Sequence, residues 1–348
     1  MKQRNHFFDI AKGIAVLMVI VTHYSWSESE RLQYLFPFWI SMAVPVFMII
    51  SGYLSAASFE RNQINRMDEA YAPSMLMRKF IRYTIPFLIA YMTELVFDSV
   101  VHGVPSIGKM IKNGIKGGIG GAGTYYYPIL VQFIFVFPVI YFIIKKKKHG
   151  LIICFLMNVG YEVIATVCNM PYRYYRLLIF RFIMLIAYGC YLSLYAGNQL
   201  GRKNWVLFIG GITFIVLQCY LGIRLPIISH LEKVCVFAVI YFLPVFSFLM
   251  EHMKNVKCWI MELLGRASYH IFFTQMVYYT YVSKRIAKSM PNRAWHLCFN
   301  IIFCVLVGLL FYYVESPISR EALKASEEFF SRLKANEMNG QYVKKTEN

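Results

Sequence analysis

Residues 125–148 read YYYPILVQFIFVFPVIYFIIKKKK. From Tyr125 to Ile144 there is no ionisable group apart from the tyrosines, and four lysines then follow at Lys145 to Lys148. A run of about twenty apolar residues is long enough to cross the hydrocarbon core of a bilayer as a helix. Inside that core every backbone N–H and C=O must be satisfied within the segment, which a helix does. The apolar residues do not alternate with polar ones, so a strand of a closed β-barrel is excluded. The lysine run marks the cytoplasmic flank of such a span. Binding of anionic lipid headgroups is the second reading of the same four charges.

The rest of the chain repeats this pattern. Of 348 residues, 58% are hydrophobic, 17% aromatic and only 16% charged. Mean hydropathy is +0.49. A soluble domain carries less apolar and more charged sequence, so the composition points to an integral membrane protein and excludes disorder. Ten apolar stretches fall near 8–26, 35–57, 81–101, 125–144, 150–168, 177–196, 205–222, 234–250, 267–283 and 295–314. The expected fold is all-α, a polytopic membrane protein of about ten transmembrane helices. The net charge is +18, from 36 Lys and Arg against 18 Asp and Glu. Most of these cations fall in alternate breaks if the N-terminus is inside: Lys2, Arg4 and Lys12, then Arg61 to Arg82, Lys145 to Lys148, Arg202, Lys203, Lys254, Lys257, Arg266 and the tail. The bias predicts an N-in, C-in topology. It also argues against a nucleic-acid binder, whose cations would gather on one face. Residues 1–320 form the expected membrane domain and 321–348 a polar cytoplasmic tail. Asp9 and Lys12 interrupt the first stretch and no small-residue cleavage site follows, so it reads as an uncleaved first span. None of the eight cysteines forms a C-x-x-C pair, and no metal site is expected.

Ionisable groups within spans are costly, so each is a functional candidate. His23 lies eleven residues beyond Lys12, about 16 Å along a helix, in the outer half of the first span. It reads either as a functional imidazole or as an interfacial histidine bonded to a neighbour. Glu94 and Asp98, four apart, share one helix face. They suit a proton relay or an acid/base pair, or they mark the outer interface near His102. Glu162 and Arg181 lie in the fifth and sixth spans, and Arg181 needs a carboxylate whose identity the sequence does not give. Arg78, Lys79 and Arg82 precede the third span, with Arg78 and Arg82 on one face. Guanidinium forks there suit a polyphosphate, or the cluster is ordinary cytoplasmic-side charge. Gly103 to Met110 nearly matches a phosphate-binding loop, but Met110 offers no hydroxyl and no strand precedes it. The glycines from Gly114 to Gly123 read as a flexible loop.

Taken together, these motifs resemble the acyltransferase-3 family of multi-span bacterial O-acyltransferases. Phe8-Asp9-Ile10-Ala11-Lys12-Gly13 followed by His23 is similar to the family's opening element. Val44-Pro45-Val46-Phe47 through Ser51-Gly52-Tyr53 is similar to its second. Arg78-Lys79 with Arg82 and Pro86, Arg181 with Tyr188-Gly189, Leu264-Gly265 with Ser268 and Ile271, and Glu315-Ser316-Pro317 follow in order. One departure is Gln275, where the family commonly has a histidine. Another is Tyr125-Tyr126-Tyr127-Pro128 in the fourth span, in place of the family's tryptophan-containing element.

The resemblance implies an acyl-CoA donor, acetyl-CoA being the usual one, on the cytoplasmic side. It implies a hydroxyl acceptor, usually on a surface glycan, reached from the other side of the cell membrane. His23 is then the candidate general base, with Lys12 or Arg181 stabilising the oxyanion. Arg78, Lys79 and Arg82 would hold the CoA phosphates. Asp9, Ser51, Tyr53, Glu94 and Asp98 complete the candidate set as substrate-binding residues, and membrane lipids are the expected surroundings. Two competing readings stay open: a transporter of glycans or lipid-linked sugars, and a member of the fold that has lost catalysis.

Overall fold

The computed structural model describes residues 5–121, 123–147, 149–195, 203–223 and 235–346, with the side chains of 203 and 334–346 outside that description. Lys2, Arg4, Lys148 and Arg202, used above for topology, lie outside the described residues. Among the described residues the chain is helical, with no strand. The main helices are α1 (Phe7–Thr22), α2 (Ala43–Arg61), α3 (Pro73–His102), α4 (Tyr126–Lys146), α5 (Gly150–Val167) and α6 (Ile183–Leu194). They continue with α7 (Lys203–Ile215), α8 (Phe242–His252), α9 (Trp259–Arg266), α10 (Ser268–Tyr281) and α11 (Arg293–Thr346).

Five segments are long and apolar enough to cross a membrane: Phe36–Arg61, Met67–His102, Tyr126–Lys146, Gly150–Val167 and Arg293–Leu333. The other five apolar stretches fold as shorter helices. α1 has 16 residues and α10 has 14. Ile179–Leu194 opens with a 3₁₀ turn, and Asn204–Tyr220 ends in a π turn at Val216–Tyr220. The expectation of ten full-length spans is therefore met by five. The apolar pattern that located the segments does not register such local breaks. α11 runs unbroken across the boundary expected at residue 320.

Local sequence sets the element ends. Pro73 opens α3, where a missing N–H costs nothing, and Gly103, at φ +82, closes it. Along α4, Ile129, Leu130, Phe133, Phe137, Ile140, Tyr141 and Ile144 recur at helical spacing and are all buried. Two glycine crossings bring helices into backbone contact. A Cβ built on Gly52 of α2 would sit 2.1 Å from the Ile186 carbonyl oxygen of α6. One built on Gly189 of α6 would sit 1.9 Å from the Ile49 carbonyl oxygen of α2. Similarly Gly13 of α1 backs onto Met261 of α9, and Gly265 backs onto Asp9. Small residues let backbones approach closely where lipid offers no hydrophobic drive to pack.

The bundle has two ends. One carries Lys12, Arg61, Arg78 and Lys145. The other carries His23, and there Tyr24 Oη donates to the Arg293 carbonyl at 3.2 Å and Tyr220 Oη to the Leu32 carbonyl at 2.9 Å.

Candidate active site

At the His23 end, α1 stops after one last turn, with the His23 backbone N–H bonded back to Ile20. The imidazole makes no hydrogen bond to any described residue. The interfacial reading, a histidine bonded to a neighbour, therefore lacks that neighbour among the described residues. The ring lies 6.4 Å, centroid to centroid, from Tyr279 on α10. Tyr279 Oη in turn donates to the Ile20 carbonyl at 2.9 Å and pins α10 to α1. One turn back along α10, Gln275 is fully buried. A Cβ on Gly123 would lie 3.5 Å from Gln275 Nε2, so the glycine loop packs over this position.

That loop is tied down rather than loose. Ile119 N–H donates to Glu94 Oε2 at 3.0 Å, and Thr280 Oγ1 donates to the Gly120 carbonyl at 3.4 Å. Gly118, at φ +143, passes so close to the Glu94 carboxylate that a Cβ would sit 2.8 Å from Oε2. Glu94 is fully buried and serves the loop. Asp98 instead meets His102, Oδ1 to Nδ1, at 2.9 Å. The two carboxylates that share a face thus have separate partners.

Two cations act on His23, and neither is among the residues singled out from sequence. Arg176 and Arg31 lie within electrostatic reach of the imidazole. Arg176 sits over two tyrosine rings, 4.5 Å from Tyr125 and 5.2 Å from Tyr172. Such stacking holds a guanidinium in place while leaving its N–H edge open. The run Tyr172-Arg173-Tyr174-Tyr175-Arg176 was a visible aromatic and basic signal in a break between spans. Its approach to His23 is a tertiary fact. Arg181 is buried and lies 5.1 Å from the Tyr175 ring, whose hydroxyl donates to both Glu162 oxygens at 2.8 and 2.7 Å. Tyr175 thus touches both Arg181, through its ring, and Glu162, through its hydroxyl.

The opposite end holds the other candidates. Lys12 Nζ meets Asp9 Oδ1 at 2.8 Å, one turn apart on α1. The structure does not bring Lys12 to His23: they occupy opposite ends of one helix, about 16 Å apart by helical rise. Arg78 and Arg82 are exposed on one face of α3, and Arg78 pairs with Glu327 at 2.9 Å. Lys79 points elsewhere, its ammonium 5.0 to 5.7 Å from the rings of Phe59, Phe137 and Phe133. Tyr53, beside Ser51 on α2, packs on Phe8 with ring centroids 4.3 Å apart. A buried pair also escaped the sequence reading. His270 Nε2 meets Glu315 Oε2 at 2.7 Å between α10 and α11, and Ser319 Oγ donates to Glu315 Oε1. Glu315 was visible as part of a motif, whereas its partner was not.

No curated protein and no solved structure matches the chain. The acyltransferase domain family matches over residues 5–313, nearly its whole length. The all-helical membrane bundle, with its motif glycines at helix crossings, belongs to the acyltransferase-3 family.

Proposed function

We propose that this membrane acyltransferase moves an acyl group, acetyl in the simplest case, from acyl-CoA to a hydroxyl of a surface glycan at the cell membrane. The observation that carries this reading is the separation of two unlike sites along one bundle. An exposed arginine pair, Arg78 and Arg82, lies at one end. An imidazole with no hydrogen bond to a described residue lies at the other. A polyphosphate donor and a hydroxyl acceptor need those two chemistries.

In this reading the Lys12 end faces the cytoplasm. Arg78 and Arg82 clamp the CoA phosphates, displacing the exposed Arg78–Glu327 pair, which contributes little on its own. Lys79 lies behind them among phenylalanines. The thioester end extends past Asp9, Ser51 and Tyr53 toward His23. There the acceptor oxygen attacks the thioester carbonyl while His23 takes the hydroxyl proton. The C–S bond breaks, and His23 returns that proton to the leaving thiolate, giving an ester and free CoA. Arg181 is the oxyanion stabiliser of this scheme. Lys12, at the far end, locks α1 through Asp9. Glu94 and Asp98 shape the acceptor opening, Glu94 by holding the glycine loop.

The test is acceptor-dependent release of free CoA thiol from acetyl-CoA by the full chain in nanodiscs. It is paired with mass spectrometry of surface glycans from cells with and without the protein. Removing a general base costs about 10² to 10⁴ in rate, so His23→Ala should reduce release to background while the protein stays in the membrane. A His23→Ala protein with unchanged transfer would overturn the assignment. Glycan export that consumes no acyl-CoA would instead favour the transporter.

A further inference from the structure

Positive charge on the cytoplasmic side follows from topology, but charge at the His23 end does not. Arg31, Lys112, Lys116, Arg173 and Arg176 all lie there. Arg31 and Arg176 act on His23, and Lys116 lies within reach of Arg173 and Lys112. Arg173 and Arg176 are one turn apart on the short helix Tyr172–Leu177. Gly117, next to Lys116, packs against the Thr124 carbonyl, which brings this part of the loop beside Tyr125 and the Arg176 stacked on it. Lys112, Lys116, Arg173 and Arg176 therefore gather about the loop beside Tyr125, and Arg31 joins Arg176 within reach of His23.

None of the five has an ion-pair partner among the described residues. Three acids at this end are committed elsewhere: Glu30 to Arg293 at 2.5 Å, Asp98 to His102 and Glu94 to the loop backbone. Arg31, Lys116 and Arg176 are also half-buried. Desolvation and the charges of Arg173 and Lys112 hold the Lys116 ammonium below its usual value. Clustered, partly desolvated cations without a counter-ion destabilise a fold, unless an anion arrives to neutralise them. Lipid headgroups would account for cations pointing outward along the membrane. They do not account for Arg31 and Arg176, whose charges bear on the imidazole itself.

We infer that the acceptor is an acidic saccharide, carrying a carboxylate or phosphate close to the hydroxyl that is acylated, and that Arg176 is the main residue recognising that anion. This rests on the acyl-transfer reading for the identity of the acceptor end. Stacked on Tyr125 and Tyr172, the Arg176 fork is preorganised for bidentate contact with either group. The surrounding cations would concentrate anionic chains at the opening and make binding sensitive to salt.

The experiment is binding of fluorescent trisaccharide-sized probes to the full chain in phosphatidylcholine nanodiscs. The probes are tri-galacturonate, its neutral methyl ester, and a glycerol-phosphate trimer. A charge-assisted contact predicts that at least one anionic probe binds about tenfold or more tighter than the ester. Arg176→Gln should remove most of that preference, Arg176→Lys should restore part of it, and Lys112→Gln, at an exposed position, should weaken it less. Equal binding of acid and ester, or a preference indifferent to all three substitutions, would overturn the inference. So would loss of the preference when phosphatidylglycerol replaces half the phosphatidylcholine, because headgroups would then be the natural occupant. His23→Ala protein keeps all five cations. If it binds the acidic probe while the wild-type protein fails to transfer an acyl group, the acyl-transfer reading fails and the anion site stands.

Discussion

Replacing Gly52 by alanine puts a methyl carbon 2.1 Å from the Ile186 carbonyl oxygen, where ordinary contact begins at 3.4 Å. The obstacle is backbone on another helix, so no side chain can swing aside. The α2 and α6 backbones must part by about 1 Å, and a radial gap of that size forfeits roughly a quarter to a half of each dispersion contact along the crossing. Gly189 occupies the reciprocal place against Ile49, so the crossing has no slack on either side. Overpacking of this kind costs about 1–3 kcal/mol. For a chain of this length that corresponds to a fall in apparent Tm of about 1–4 °C. The control is Gly160→Ala on α5, where an added Cβ meets nothing within 4 Å. There the lost backbone freedom of glycine should leave stability unchanged or raise it by up to about 1 kcal/mol. Thermal unfolding of both variants in one detergent, followed by tryptophan fluorescence, reads the difference. If Gly52→Ala melts with the wild type and Gly160→Ala does not melt above it, the close crossing is not what these glycines provide.

Arg78→Ala with Arg82→Ala should raise the KM for acyl-CoA about tenfold or more and leave the KM for acceptor unchanged, as read by thiol release. A change in acceptor KM alone would remove the phosphate clamp. Glu315→Leu or His270→Leu alone leaves one buried polar partner stranded and should cost about 3–5 kcal/mol, whereas the double substitution should cost less than the sum of the two, a pattern a double-mutant cycle in thermal unfolding detects. Glu30 accepts from Arg293 and from the Ser27 backbone, and these hold its carboxyl down at about 2. A lowered folded value means that the stability this pair contributes is present above the ordinary carboxylate range and is lost as pH falls toward 2. Glu30→Gln should therefore flatten the part of the Tm–pH curve between pH 5 and 2, within the range where the protein stays folded.

Helices and their approximate places were legible because the cost of an unsatisfied backbone in lipid forces them, and an apolar run alone reveals that force. Where a run opens in a 3₁₀ turn, as at Ile179–Phe182, or ends in a π turn, as at Val216–Tyr220, the local break is invisible to composition, and five of the ten stretches came out short. The motif glycines were legible as well. Gly13, Gly52, Gly189 and Gly265 stand where sequence pattern singles them out, but the reason, carbonyl oxygens of a neighbouring helix in the space a side chain would take, is tertiary. The candidate site was legible only along single helices. Helical spacing placed His23 and Lys12 far apart on α1 and Glu94 beside Asp98. It could not reveal that Glu94 faces a loop some twenty-five residues on, or that His270 meets Glu315 across two helices. Arg176 is the sharpest case. From sequence it was one of the cations left over once topology had been satisfied. Through its stacking on Tyr125 and Tyr172 it becomes a guanidinium held within electrostatic reach of His23. Cations that the topology rule does not require need another cause, and the acidic acceptor inferred above supplies one.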